Sequence, residues 1–272
     1  MKDFITGCRG VSAALPTPFR LGRLDRPAVH ALSRRLVDRG IAALVPCGPA
    51  GEGSLLTEDE HREVIQTVVG AASGRIPVVA GIGSNNTRTA LNLARAAESA
   101  GASALLALTP FHLRPTQAGS VAHFRTLHDA VSIPLILYDA PLRTGIALDD
   151  GTIARLATLP RLAGLVDATG DIVRLARLRR RLGGDFLLLT GDDRTQAAYR
   201  TAGGDGCVSV SANIVPSLCV ALQQACAEGL SGDVSWHEQL LAPLGEVLSL
   251  GADVLAVKRA LSRLDIMGDG TR

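Results

Sequence analysis

The feature that most constrains this chain is a period. From residue 11 to residue 210, short apolar runs alternate with longer amphipathic segments. Eight runs read as strands: Val11–Pro16, Ala42–Cys47, Pro77–Ile82, Ala104–Thr109, Pro134–Tyr138, Leu162–Val166, Phe186–Thr190 and Gly206–Val210. Between them, Arg26–Arg39, Thr57–Ala72, Thr87–Ala100, Gln117–Ala130 and Ile172–Leu182 carry apolar residues at helical spacing. Strand-then-helix units repeated in this way predict a parallel sheet closed on itself, an α/β chain folded as a (β/α)8 TIM barrel. Several runs are apolar throughout rather than alternating, which suits strands buried on both faces. A doubly wound open sheet is the rival. Gly81-Ile82-Gly83 follows a strand, yet the third glycine and the later acid of a dinucleotide fingerprint are not in place.

Beyond the eighth run, Val215–Gly229, Val234–Leu250 and Ala252–Leu264 read as helices, one closing the barrel and the others forming a small C-terminal helical appendage. Residues 1–214 are assigned to the barrel and residues 215–272 to the closing and C-terminal helices, within one structural unit. The tail from Gly268 to Arg272 is expected to fray.

Composition narrows the functional classes. A net charge of +2 gives no electrostatic case for nucleic acid or a membrane surface. The densest basic run, Arg174 to Arg181, has Leu175, Leu178 and Leu182 between its arginines and reads as a solvated helix face. The five cysteines show neither C-x-x-C nor zinc-finger spacing and read as reduced, buried thiols. With no signal sequence and no apolar run long enough to span a bilayer, a cytoplasmic protein is expected. The histidines form no ligand pattern, adjacent Asp192 and Asp193 on a strand would face opposite ways, and no Gly-x-Ser-x-Gly elbow is present. Neither a metal nor a cofactor is expected. Glu52 is expected to pack and hydrogen-bond beneath its loop.

In a barrel of this kind the chemistry lies where strands end and βα loops begin. Five such ends stand out: Gly48-Pro49-Ala50-Gly51-Glu52, Thr109-Pro110-Phe111-His112, Tyr138-Asp139-Ala140-Pro141-Leu142-Arg143-Thr144-Gly145, Val166-Asp167-Ala168-Thr169-Gly170 and Gly191-Asp192-Asp193. In this order they resemble the dihydrodipicolinate synthase and N-acetylneuraminate lyase family of pyruvate-dependent barrel enzymes. The run Leu137 to Gly145 looks closer to the synthase branch.

The resemblance implies a lysine at the end of strand six that forms a Schiff base with pyruvate, an electron sink that lets a carbanion form at the neighbouring carbon. Val166 stands at that position, and an isopropyl group has no lone pair with which to form an imine. The only lysines are Lys2 and Lys258, one at the N-terminus and one in the last helix. The family's pair of threonines before Gly-Glu is here Pro49 and Ala50; Pro49 also lacks an N–H, while those of Ala50 and Gly51 remain to receive an anion. Tyr138 matches the family's proton-relaying tyrosine, and His112 replaces a partner tyrosine lent across a dimer interface. Arg143 matches the arginine that recognises a carboxylate at the mouth, by the bidentate geometry a guanidinium supplies. Val208, on strand eight, is counted with Ala50, Gly51 and Arg143 as a binding residue.

The expected function is a synthase-like protein that binds a small oxo acid or other carboxylate at the barrel mouth without forming a pyruvate Schiff base, as a homodimer or homotetramer. One alternative is a lyase, dehydratase or isomerase using Tyr138 and His112 as an acid–base pair. Another is an active 4-hydroxy-tetrahydrodipicolinate synthase-type lyase, as resemblance alone would assign.

Overall fold

The computed structural model describes residues 2–249 and 253–272. Eight parallel strands form the barrel: β1 (Gly10–Ala14), β2 (Ala43–Val45), β3 (Val79–Gly81), β4 (Ala104–Leu108), β5 (Leu135–Asp139), β6 (Leu162–Asp167), β7 (Leu187–Thr190) and β8 (Gly206–Ser209). Their hydrogen-bonded order is β2-β1-β8-β7-β6-β5-β4-β3. The ring closes at the β2/β3 seam through a bridge between Leu44 and Val78, with Leu44 N–H donating to Pro77 O at 3.0 Å and Gly81 N–H to Pro46 O at 2.9 Å. All eight strands fall within or beside the runs that the sequence marks.

Alternation along the strands makes two cores. Leu44, Ala80, Leu105, Leu137, Leu165 and Leu188 point outward, where the surrounding helices pack on them. Val45, Val79, Leu106, Ile136, Leu189 and Val208 fill the inside. The first helix, α1 (Lys2–Gly7), belongs to this inner core through Ile5 and Phe4, as does Cys8 immediately after it. In β6 the alternation is interrupted. Leu135 pairs with Leu162 but Ile136 pairs with Gly164, so Ala163 is an extra residue, a β-bulge that rephases the strand. Gly164 is obligatory beside it, because a Cβ there would lie 2.5 Å from Leu187 O.

The helices follow from local chemistry. In α2 (Glu58–Ala72), Thr57 and Glu60 form a reciprocal capping box, and Val64, Ile65 and Val68 supply the buried stripe. In α3 (Ile172–Leu182), Asp171 caps the first turn by accepting from Arg174 N–H at 3.1 Å. The solvated basic face expected of this helix needs correction at its first arginine. Arg174 is only 4% exposed and points into the protein, because three carboxylates from other segments surround it. Arg177 and Arg179 are also ion-paired, with Asp150 and Asp205.

The C-terminal helices are α4 (Pro216–Glu228), α5 (Ser231–Ser249) and α6 (Asp253–Arg263); the ends at Leu250 and Ala252 of the two last helix patterns lie outside the described residues. The tail does not fray. Gly270 bridges Phe19, Arg272 N–H donates to Glu52 Oε2 at 2.8 Å, and the Arg272 guanidinium pairs with Glu60 and lies 4.8 Å over the Phe19 ring. Lone glycines in a sequence tail carry no sign of such partners. Among the described residues no helix is long and apolar enough to cross a membrane, and all five cysteines are unpaired and buried.

Candidate functional site

The C-terminal ends of the strands carry two cavities that meet at Tyr138 and Arg143. One, of about 350 Å³, is bordered by the β5 and β7 loops and α5, with Asp192, Asp193 and Arg194 on its wall. The other, of about 270 Å³, lies between the β2, β3 and β4 loops. Tyr138 and Arg143 line both.

Val166 lies beneath them. Its side chain is 1% exposed and belongs to the inner core with Val45, Val79, Leu106 and Ile136. The void it borders there measures about 10 Å³, at the lower limit for one water molecule. Its contact with the mouth runs through Gly191. A Cβ added at Gly191 would sit 3.1 Å from Val166 Cγ1, Tyr138 Cε2 and Ala168 Cβ alike, so these three side chains converge on one glycine at the cavity floor. Val208, partly buried, packs against the same inner core and borders that small void rather than the two mouth cavities.

The β2 loop is a strained turn. Cys47 and Glu52 bracket it with φ of 58° and 55°, a region that costs non-glycine residues of order 1–3 kcal/mol. Its neighbours must be glycine: a Cβ on Gly53 or Gly81 would fall 2.0 or 2.5 Å from Cys47 O. Inside the turn, Gly51 N–H donates to Gly48 O at 3.0 Å and Gly51 O accepts from Thr17 Oγ1 at 2.6 Å. An anion at Gly51 N–H therefore competes with a bond already made. Ala50 is 4% exposed, and the loop residues on the cavity wall are Cys47, Gly48 and Pro49.

Glu52 turns away beneath the loop, as expected. Its carboxylate pairs with Lys258, whose side chain is wholly buried, donates also to Gly270 O at 2.8 Å and lies 4.7 Å over the Phe19 ring. Burial lowers the Lys258 ammonium below its ordinary range against the opposing pull of Glu52. Lys258 thus belongs to an anchor between the β2 loop and the tail.

His112, on the β4 loop, adopts φ 67° and meets Phe111 edge-on with ring centroids 5.2 Å apart. It lines the smaller cavity together with Tyr138. The fold therefore brings Tyr138, His112 and Arg143 to one cavity. Asp192 and Asp193 part as expected, but from a turn after β7 rather than from a strand. Asp192 forms a fork with Arg194, at 2.8 and 3.1 Å. Burial works to raise the Asp192 carboxyl, and the bonds from Arg194 outweigh it and hold the group below its ordinary value. Asp193 accepts from Ser209 Oγ and from Val210 and Ser211 N–H, at 3.0 and 3.1 Å for the latter two, and burial nonetheless raises its pKa.

One group escapes the sequence. Arg174 Nη1 reaches Asp139 Oδ2 at 2.8 Å and Asp167 Oδ1 at 3.3 Å, its Nε reaches Asp150 Oδ1 at 3.3 Å, and its Nη2 donates to Leu148 O. Asp139 also accepts from Leu148 N–H at 3.2 Å. These bonds tie both ends of the loop that carries Arg143. Burial pushes the Asp139 carboxyl up to about 6 despite the guanidinium beside it. Acidic residues directly after Tyr138 and Val166 were the available signal, and nothing local marked Arg174 as their partner.

The Dihydrodipicolinate synthetase family profile matches residues 7–271. A 4-hydroxy-tetrahydrodipicolinate synthase from Ruegeria pomeroyi is 41% identical over 264 residues, spanning 97% of this chain and 91% of that protein. The enzyme of the same name from Nitrobacter hamburgensis is 45% identical over 267 residues, 98% and 90% of the two chains. Among solved structures, dihydrodipicolinate synthase from Aquifex aeolicus superposes with a TM-score of 0.94 at 34% identity, covering 97% of this chain and 90% of that one. The chloride-inhibited synthase from Acinetobacter baumannii, solved with pyruvate, gives 0.94 at 34% identity, with 97% and 91% covered.

Proposed function

The chain belongs to the dihydrodipicolinate synthetase family, and from that premise we propose that it binds a small carboxylate at the barrel mouth through Arg143 without making the pyruvate Schiff base. The observation that carries this reading is Val166. By the resemblance it stands where the family motif has the imine-forming lysine, and it is packed among the apolar side chains Val45, Val79, Leu106 and Ile136. The two lysines of the chain are accounted for elsewhere: Lys2 is exposed on α1 and Lys258 is buried against Glu52. Without the imine, a carbanion beside a ketone has no comparable electron sink. What this chain offers instead is a guanidinium suited to a carboxylate, a phenol on the cavity wall and an imidazole in the same cavity.

A specific observation favours an alternative. The relatives above, alike along nearly their whole length, carry the name 4-hydroxy-tetrahydrodipicolinate synthase, and by resemblance alone this chain would be an active synthase. Borohydride trapping with pyruvate decides between them. The chain as it stands is expected to gain no stable mass adduct, whereas Val166→Lys is expected to gain one at residue 166. An adduct mapped inside the barrel of the unaltered protein would refute the proposal. Acid–base chemistry through Tyr138 and His112 rests on their shared cavity, and solvent deuterium exchange into a bound acid that persists in Tyr138→Phe would remove it. The exposed side chains of Leu113 and Leu142 beside the mouth support a homo-oligomer, which sedimentation would test.

A further inference from the structure

Resting on the reading of Arg143 as a carboxylate site, we propose that the ligand is a carboxylic acid bearing an apolar substituent, which lies in the cavity between the β2 and β4 loops. The two cavities at the mouth differ in chemistry. Around the larger one stand Asp192, Asp193 and Arg194. The smaller is walled by Cys47, Pro49, Leu106, Leu108 and Phe111, with Ser54 the one aliphatic hydroxyl. Burial raises the Cys47 thiol far above its ordinary range, so it presents a neutral, apolar surface. The polar side chains His112, Tyr138 and Arg143 join this wall from the β4 and β5 loops.

A ligand with its carboxylate at Arg143 therefore has two directions for the rest of its body. Toward Asp192 and Asp193 an apolar group would strip water from carboxylates. Toward Leu106 and Leu108 it would bury hydrocarbon against hydrocarbon. The cavity of about 270 Å³ holds roughly half a dozen carbon atoms beside the carboxylate, taking the ~30 Å³ share of a water molecule as the yardstick. Proline at residue 49 contributes ring carbons and no N–H to this wall, so the loop there offers hydrocarbon where a hydroxyl-bearing residue would hold an anion.

The test is a calorimetric series of 2-oxo acids that lengthens from pyruvate through 2-oxobutanoate and 2-oxopentanoate to 4-methyl-2-oxopentanoate. Affinity is expected to rise about fourfold for each added methylene. Gly48 lies on the wall at φ −76°, and a Cβ there meets nothing within 4 Å, so Gly48→Val fills the cavity without backbone strain and is expected to flatten the series. Pro49→Thr, which returns a hydroxyl to the wall, is expected to bring the gain below twofold per methylene. A series that is flat in the unaltered protein, with binding still lost in Arg143→Ala, overturns this inference and leaves the carboxylate site standing. A slope unchanged in both Gly48→Val and Pro49→Thr likewise places the hydrocarbon elsewhere. Failure of every acid to bind overturns the carboxylate reading itself.

Discussion

Replacing Arg174 by methionine removes one cation from among three carboxylates while keeping most of the side-chain volume. Asp139 and Asp167 are 0% and 2% exposed, so neither can take up water in compensation. Removing one partner of such a buried pair costs about 3–5 kcal/mol, since the surviving charge stays desolvated. For a chain of this size each kcal/mol lowers the melting temperature by roughly 2–4 °C, so a drop of about 12 °C is expected at pH 8. The pH dependence has a definite sign. Burial raises Asp139 from 3.8 to about 6, so the native state holds this proton more tightly than the unfolded chain does. Its contribution to stability is therefore complete at low pH and is lost as pH rises from about 4 through 6. In Arg174→Met the opposing guanidinium is gone, the carboxyl is raised further, and the loss extends to higher pH. The gap between variant and parent should thus narrow as pH falls from 8 to 5, the reverse of ordinary acid denaturation. Scanning calorimetry at pH 5, 6, 7 and 8 reads this directly. A drop below about 3 °C, or one equal at pH 5 and pH 8, would refute the buried-charge account.

Two further outcomes follow from the same physics. Glu52→Gln leaves the Lys258 ammonium buried beside Gly270 O and the Phe19 ring; it should cost about 3–5 kcal/mol and raise hydrogen exchange across residues 268–272, and unchanged exchange there would separate the tail from the ion pair. The five buried cysteines, whose thiol pKa values burial raises, should resist a disulfide reagent in the native protein and react in full once unfolded, so rapid labelling of even one in the native state would contradict their placement.

The barrel was legible because its signal is local. A run such as Ala104–Thr109 announces a doubly buried strand by its own residues, and Thr57 with Glu60 announces a helix start within four positions. The strand-end rule then located Tyr138, Arg143 and Val166 at one end of the barrel, and the structure gathers them there. What the sequence hid depends on distant partners. Arg174 looks like one arginine in a basic stripe until strands β5 and β6 bring Asp139 and Asp167 against it, from 35 and 7 residues away. The short hairpin Phe19–Arg20 with Arg23–Leu24 went unread because its strands are two residues each, and because its turn begins with a leucine at φ 51°. Cys47, Glu52 and His112 carry no glycine-like mark of their positive φ, so the strain at the mouth was invisible as well. The tail was misread because its anchor is made by Phe19, Glu52 and Glu60, more than 200 residues upstream.

The bulge at Ala163 settles more than the shape of one strand. Val166 and Asp167 are neighbours with opposite destinations, one entering the barrel and the other joining Arg174 outside it. Side chains alternate along a strand, so a slip of one position would exchange them. Were Ala163 paired opposite Ile136 instead of bulging, Val166 would move out beside Asp139 and Arg174, and Asp167 would turn its carboxylate toward the barrel axis. The bulging of a single alanine thus acts as the phase setting of β6, choosing which of two adjacent residues enters the barrel and which joins the scaffold around it.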